Sequence, residues 1–256
     1  MKVTILILIS LLFLAGCEKE VSSLHDKDGI KYEDNSKTPF TGRLAEKYLD
    51  GQKKREVTYK NGEKDGLSTM WHANGQKKGE VNYEGGKRNG LLLTWFGNGQ
   101  KDEEMTHKDG KRDGLFTAWF ENGQKKGEIT YEDGERDGLS TIWLENGQRS
   151  EVNFKNGKQD GLLTKWYENE QKELEADYKN GKLDGLFATW YENGQKKAER
   201  DYKNGKLHGL LLTWYESGQK KAVVTYKNGE ENGLYTTWLE NGQKHEEALY
   251  EGGERL

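Results

Sequence analysis

Along most of this chain, apolar and polar positions alternate with a period of two over short runs. Between Gly209 and Tyr215, Leu210, Leu212 and Trp214 fall on one face of an extended backbone, and Leu211, Thr213 and Tyr215 fall on the other. Just before this run, Ala198, Arg200 and Tyr202 share a face opposite Glu199 and Asp201. Turn signals bound the runs. One series is Asn74-Gly75, Asn98-Gly99, Asn122-Gly123, Asn146-Gly147, Asn193-Gly194 and Asn241-Gly242, with Ser217-Gly218 as a variant. The other includes Asn61-Gly62, Asp109-Gly110, Asp133-Gly134, Asn156-Gly157, Asn180-Gly181, Asn204-Gly205 and Asn228-Gly229. Asn-Gly and Asp-Gly between alternating runs predict hairpins, because both turn positions need positive φ. The intervening runs, about nine and eleven residues, suit strands and are too short for crossover helices. The pattern predicts an all-β chain, an elongated antiparallel meander in a single twisted or rolled sheet.

The meander is also a repeat. Gly-Leu-x-x-x-Trp begins at Gly66, Gly90, Gly114, Gly138, Gly161, Gly185, Gly209 and Gly233, spaced by 24 residues except for one interval of 23. That interval lacks a residue after Gln148, where Arg149-Ser150-Glu151 replaces a four-residue link. A worn ninth copy starts at Gly42, with Arg43 for Leu and Lys47 for Trp, as expected at the end of a stacked array. Glu170 replaces the turn glycine in Asn169-Glu170 and should weaken that hairpin.

Trp71, Trp95, Trp119, Trp143, Trp166, Trp190, Trp214 and Trp238 recur on every second strand. They form a ladder with rungs roughly 10 Å apart. This ladder is read as the structural core, with a row of exposed platforms for sugars, lipids or peptides as the alternative. Strict two-residue loops would pair Tyr202 with Gly185 and place Tyr and Trp on opposite faces. A type I turn with a glycine bulge would slip the register by one and unite them, and this second arrangement is expected. The glycine before each Leu is either room for a neighbouring ring or a strand kink.

Composition sharpens the picture. The hydrophobic set makes up 32% and charged residues 33%, too polar for one thick core at this length. Yet 8 Trp and 13 Tyr argue against disorder. The net charge of -4, with both signs interleaved, offers no basic stripe for nucleic acid. The single cysteine closes the run Leu14-Ala15-Gly16-Cys17, after Lys2 and an apolar segment from Val3 to Ala15. Thirteen residues make about 20 Å of helix, short of a ~30 Å membrane core. The run Leu14-Ala15-Gly16-Cys17 resembles a bacterial lipobox, which implies a lipoprotein signal peptide over 1–16 and lipidation at Cys17, with a plain signal peptide and a chance or buried cysteine as the alternative. A polar tether and leading segment over 17–37 and the array over 38–256 would follow. The protein would then be exported and anchored by lipid in a bacterial cell envelope, and by analogy with lipoprotein sorting Glu18 after the cysteine favours the outer membrane where there are two.

The unit Gly-Leu-x-x-x-Trp-Tyr-Glu-Asn-Gly-Gln-Lys-Lys-x-Glu-x-x-Tyr-Lys-Asn-Gly-Lys-x-Asp-Gly, with the entry Thr38-Pro39-Phe40-Thr41-Gly42, resembles the bacterial MORN-repeat variant over about residues 38 to 256. The resemblance implies hairpin arrays that are often secreted or lipid-anchored. Many such proteins carry the label of YwqK-type toxin–antitoxin antitoxins, which implies a protein partner. This chain lacks the shorter Tyr-x-Gly-x-Trp spacing of eukaryotic MORN repeats, which are associated with scaffolding, dimerisation and membrane lipids.

No catalytic constellation emerges, because nearly every polar residue occupies a repeated slot. His72, His107, His208 and His245 each stand in the slot of another residue type, and His25 lies in the leading segment, so no metal or cofactor is expected. The expected function is non-catalytic: a lipid-anchored binding or scaffold module for a protein or envelope polymer. The alternatives are an antitoxin or immunity protein, and a carbohydrate- or choline-type binder. What varies between copies marks the candidate binding face: Phe116, Phe120, Tyr167, Phe187, Tyr191, Leu211, Tyr215 and Tyr235. A second packing layer or a homodimer contact is the competing use of that face.

Overall fold

The structure, a computed structural model, describes residues 19–256. The leader over 1–16 and Cys17 lie outside the described residues. Among these there is no helix, and twenty strands form one sheet while His25–Lys27 and Ile30–Tyr32 make a separate hairpin. Two strand types alternate. Tryptophan strands run from Glu63–Trp71 to Glu230–Trp238, and tyrosine strands from Lys53–Lys60 to Lys244–Glu251. Each pairs antiparallel with the strand before and after it, so the expected meander is the architecture. Gly42–Lys47, the worn first copy, opens the array.

The leading segment is more than a tether. Glu20–Val21 pairs in parallel with Arg43–Leu44, and Phe40 packs with Leu44, Val57 and Tyr59 in a buried cluster joined by Val21 and Leu24. Lys31 N donates to Gly62 O at 2.9 Å, which fastens the small hairpin to the first Asn-Gly turn.

Each unit carries two turns of different build. At Asn180-Gly181 both residues have positive φ (50° and 79°), as a tight two-residue hairpin requires. At Asn193-Gly194 the loop is longer. Gly194 N donates to Tyr191 O and Tyr191 N to Gln195 O, each at 2.9 Å, with Gly194 at φ 83°. This is the expected turn with a glycine bulge, yet its register slip does not persist. A second irregularity between Thr189 and Trp190, where Lys197 is left unpaired, restores the original register, so Gly185 faces Tyr202. The expectation that Tyr and Trp share a face is therefore corrected. Two bulges cancel, and the rings lie on opposite sides of the sheet.

The single 23-residue interval follows the same logic. Between Leu139 and Trp143 and their partners Asn153 to Arg149, pairing is continuous. The missing residue after Gln148 is the one that elsewhere forms the second bulge.

The glycine before each Leu is a kink, not room for a ring. Gly185 has φ +123°, and the atoms nearest to a Cβ added there all belong to Asp177, beginning with its Cβ at 2.9 Å. Thr58, Asn82, Thr106, Thr130, Asn153, Asp201 and Thr225 occupy the same place at the other glycines of this slot. Opposite it the register jumps, with Ala176 paired to Phe187 but Tyr178 to Leu183. Asp184, Gly185 and Leu186 thus oppose Asp177 alone, and a strand bends where one side carries extra residues.

The two faces differ in depth. On the tyrosine face, Val57, Tyr59, Met105, Ile129, Tyr131 and Ala176 are buried. A one-layer sheet can bury one face only if the side chains on it cover one another. On the tryptophan face the slot of Thr69, Thr117, Thr141, Thr164 and Ala188 is buried, but all eight tryptophans are half-buried. The layer that holds the sheet together is thus on the side away from the tryptophan ladder.

Candidate functional site

The repeated polar residues can be followed unit by unit, and most are engaged in joining neighbouring units. Along the Asn-Gly edge, each turn is tied to the unit before it: Gly181 N donates to Gln159 O at 2.7 Å, and Gly205 N to Leu183 O at 2.7 Å. The Asp of the Asp-Gly kink reaches forward to the next turn, where Asp160 accepts from Asn180 N at 3.0 Å and Asp184 from Asn204 N at 2.9 Å. His208, in the Asp184 slot, presents Nδ1 to Asn228 N at 3.5 Å.

The opposite edge is stitched as densely. The Asn193 side chain accepts from Gln195 N at 2.9 Å while donating to Glu216 O in the next unit at 3.1 Å. The hydroxyls of Tyr48, Tyr167, Tyr191 and Tyr215 donate to the carbonyl of the next ladder tryptophan, and His72 Nε2 stands 2.9 Å from Trp95 O. Each such bond satisfies a group that would otherwise be stranded at a sheet corner.

The tryptophan face carries a repeated arrangement of charge. Lys53 lies over Trp71, Lys77 over Trp95, Lys101 over Trp119, Lys172 over Trp190 and Lys196 over Trp214, each amine 5.3–5.9 Å from the ring centre. The same lysines pair with a glutamate three residues on, as Lys101 does with Glu104 at 2.7 Å and Lys172 with Glu175 at 2.5 Å. They pair within their own strand, because Lys197 is skipped and Lys196 and Glu199 are thereby turned to the same side. Asp201 instead accepts from Leu210 N at 3.4 Å. Beside the ladder runs a stripe of exposed leucines, among them Leu91, Leu115, Leu139, Leu210 and Leu234. Period-two alternation could have marked these leucines in the sequence, but their slot was not singled out.

The residues singled out as a candidate binding face occupy two places. Phe116, Phe187, Leu211 and Tyr235 lie on the tyrosine face, half-buried, and two of them meet tyrosines edge-on: Phe187 with Tyr202 and Tyr235 with Tyr250, centroids 6.0 and 5.9 Å apart. Phe120, Tyr167, Tyr191 and Tyr215 stand at the turn edge, where the three hydroxyls make the bonds already described. Burial followed by the charges of Glu246, Tyr250 and Glu231 pushes the Tyr235 hydroxyl above the ordinary tyrosine value.

Where the bulge residue is missing, the array has a local cavity of about 290 Å³ lined by Ile142, Leu144, Gln148, Arg149, Ser150, Lys165, Trp166 and Glu173. Arg149 lies 4.0 Å from the Trp166 ring centre, closer than any lysine of the ladder. Among the described residues no group of His, Cys, Asp and Glu is placed to hold a metal ion.

Five segments of the chain, residues 64–84, 112–133, 159–180, 183–204 and 207–228, match the MORN repeat variant. No curated protein matches the chain. The matched segments lie within the hairpin units, and the fold is a repeat scaffold.

Proposed function

We propose that this chain is a non-catalytic, lipid-anchored repeat module of the cell envelope, which presents one face of its sheet to a protein or envelope polymer. The observation behind this reading is the division of labour among side chains. Repeated polar groups at both edges bond unit to unit, while one slot that varies between copies, that of Phe116, Phe187, Leu211 and Tyr235, lies on the open tyrosine face. Repeat arrays with this economy commonly serve as extended binding surfaces. The lipid on Cys17 would hold the array at a membrane. Were the partner a toxin, the same surface would make the chain an immunity protein, and a toxin-like neighbouring reading frame would mark that case.

The test is site-specific photo-crosslinking in the cell that makes the protein, with the probe at Phe116 on the tyrosine face, Leu115 on the tryptophan face, or Asn146 at the edge. The reading expects a discrete adduct from one face and none from the edge. Adducts of the same kind from all three positions, or none from any, would overturn it.

A further inference from the structure

The tyrosine face is not uniform along the array. The second position of each tryptophan strand, next to the tyrosine slot, reads Lys64, Arg88, Arg112, Arg136, Gln159, Leu183, Leu207 and Glu231. These residues pair across strands with Tyr59, Tyr83, His107, Tyr131, Phe154, Tyr178, Tyr202 and Tyr226. Four consecutive units therefore place a cation in a slot that is neutral in the next three and acidic in the last.

None of these four cations forms an ion pair among the described residues, whereas the ladder lysines pair with their own glutamates. Arg88, Arg112 and Arg136 are exposed. Rings of the following unit hold three of the four in place. Lys64 Nζ lies 4.6 Å from the Tyr83 ring centre, Arg112 5.2 Å from Tyr131, and Arg136 5.3 Å from Phe154. Arg112 Nη1 also donates to Tyr131 Oη at 3.0 Å.

Neighbouring groups register the resulting field. Burial would raise the Tyr83 hydroxyl, but Arg88 and Lys64 beside it bring it below the ordinary tyrosine value. His107 is pushed down by burial, then by Arg88 and Arg112. Three strand carboxylates face this side in the first units: Glu46, 3.9 Å from Arg55; Asp102, whose Oδ2 accepts from Thr94 Oγ1 at 3.1 Å; and Glu103, four residues from His107.

From this placement we propose that the first four full units of the tyrosine face bind an extended acidic peptide with a carboxylate at every third residue, in the polyproline II conformation. The proposal rests on the binding-module reading above and names the partner's chemistry. Spacing selects the conformation. Two strands at about 4.8 Å give one cation every ~9.6 Å along the ribbon. A polyproline II chain repeats every three residues at ~3.1 Å each, about 9.3 Å. A β-strand brings same-side residues round every ~6.8 Å and falls out of step. Rings between the cations suit this conformer, which aromatic-lined grooves recognise in other settings. Guanidinium groups suit carboxylates because both present a planar fork.

The test titrates the full-length chain, in non-ionic detergent, into a fluorophore-labelled (Glu-Pro-Pro)₅ peptide and follows anisotropy at two salt concentrations. The expected result is binding at least about tenfold tighter than to (Glu-Pro-Pro-Pro)₄, weakened by salt. Each single Arg88→Gln, Arg112→Gln or Arg136→Gln change should weaken it about threefold, and the triple change roughly thirtyfold, at the strength of exposed ion pairs. A triple Arg→Glu chain should instead select (Lys-Pro-Pro)₅, provided circular dichroism shows the sheet intact. Equal affinity for third- and fourth-residue spacing, or failure of a folded Arg→Glu chain to switch peptides, would overturn the proposal. So would polyphosphate or phosphatidylglycerol vesicles binding this row while the peptide does not. In each failure a discrete crosslink from Phe116 or from Leu115 would leave the binding-module reading standing, and the absence of both would remove it as well.

Discussion

Replacing Gly185 and Gly90 by alanine, one at a time, separates two causes that the kink combines. Both glycines occupy the same slot with positive φ, +123° and +92°. Holding an alanine in such a region costs about 1–3 kcal/mol in either unit. The surroundings differ. At Gly90 a new Cβ meets only Asn82, at 4.0 Å, whereas at Gly185 it would lie 2.9 Å from Asp177 Cβ and 3.0 Å from its Oδ2. Relieving that approach adds about 1–3 kcal/mol of overpacking. That cost includes displacement of the carboxylate that accepts from Leu186 N at 3.2 Å, a bond contributing about 1 kcal/mol. The expected penalties are about 2 kcal/mol for Gly90→Ala and about 4 kcal/mol for Gly185→Ala. Arrays of this kind open locally, so a single global melt would average the effect away. Native-state hydrogen exchange read by mass spectrometry resolves it unit by unit. Exchange around residues 176–187 should rise by roughly a further 1.4 decades in Gly185→Ala, compared with residues 81–92 in Gly90→Ala. If Gly90→Ala costs as much as Gly185→Ala, the close approach of Asp177 is irrelevant. If both are neutral, the kink is not enforced.

Glu170 holds φ 62° where the equivalent turns have glycine, so Glu170→Gly should stabilise its unit by about 1 kcal/mol, visible as slower exchange at Tyr167–Gln171. Tyr191→Phe removes the 3.0 Å bond to Trp214 O and should destabilise by about 0.5–1.5 kcal/mol, read as faster exchange at the neighbouring turn; no change would show the bond to be redundant. Acrylamide should quench the half-buried tryptophans to an intermediate degree, and Lys196→Ala should raise quenching by uncovering Trp214; complete protection would contradict the burial described above. Cys17→Ala should abolish incorporation of a labelled fatty acid, whereas labelling that persists would remove Cys17 as the anchor.

Much of the fold was legible because a hairpin array writes its geometry locally. Asn180-Gly181 specifies a tight turn, and alternation at Leu210, Leu211 and Leu212 specifies a strand, without help from distant residues. The relation between Trp and Tyr was not legible. It depends on a second bulge at Lys197, and a lysine in a lysine-lysine pair gives no sign that one of the two will be skipped. The roles of Asp184 and Asn193 were hidden for a different reason. Their partners lie 20 and 23 residues ahead, in the next copy, where no pattern within a single unit points. The basic row fell between these cases, since Lys64, Arg88, Arg112 and Arg136 are spaced too widely to form a charge run and align only when the units are stacked.

The strands lie across the ribbon, and this has a mechanical consequence. A pull between its two ends runs perpendicular to the strands, so interstrand bonds are loaded one pair after another instead of in concert. The array should lengthen hairpin by hairpin at low force, each 24-residue unit passing from about 10 Å of ribbon to about 80 Å of extended chain. Held at one end and loaded at the other, it would behave as an extensible leash, lengthening in steps and shortening again as the units re-form.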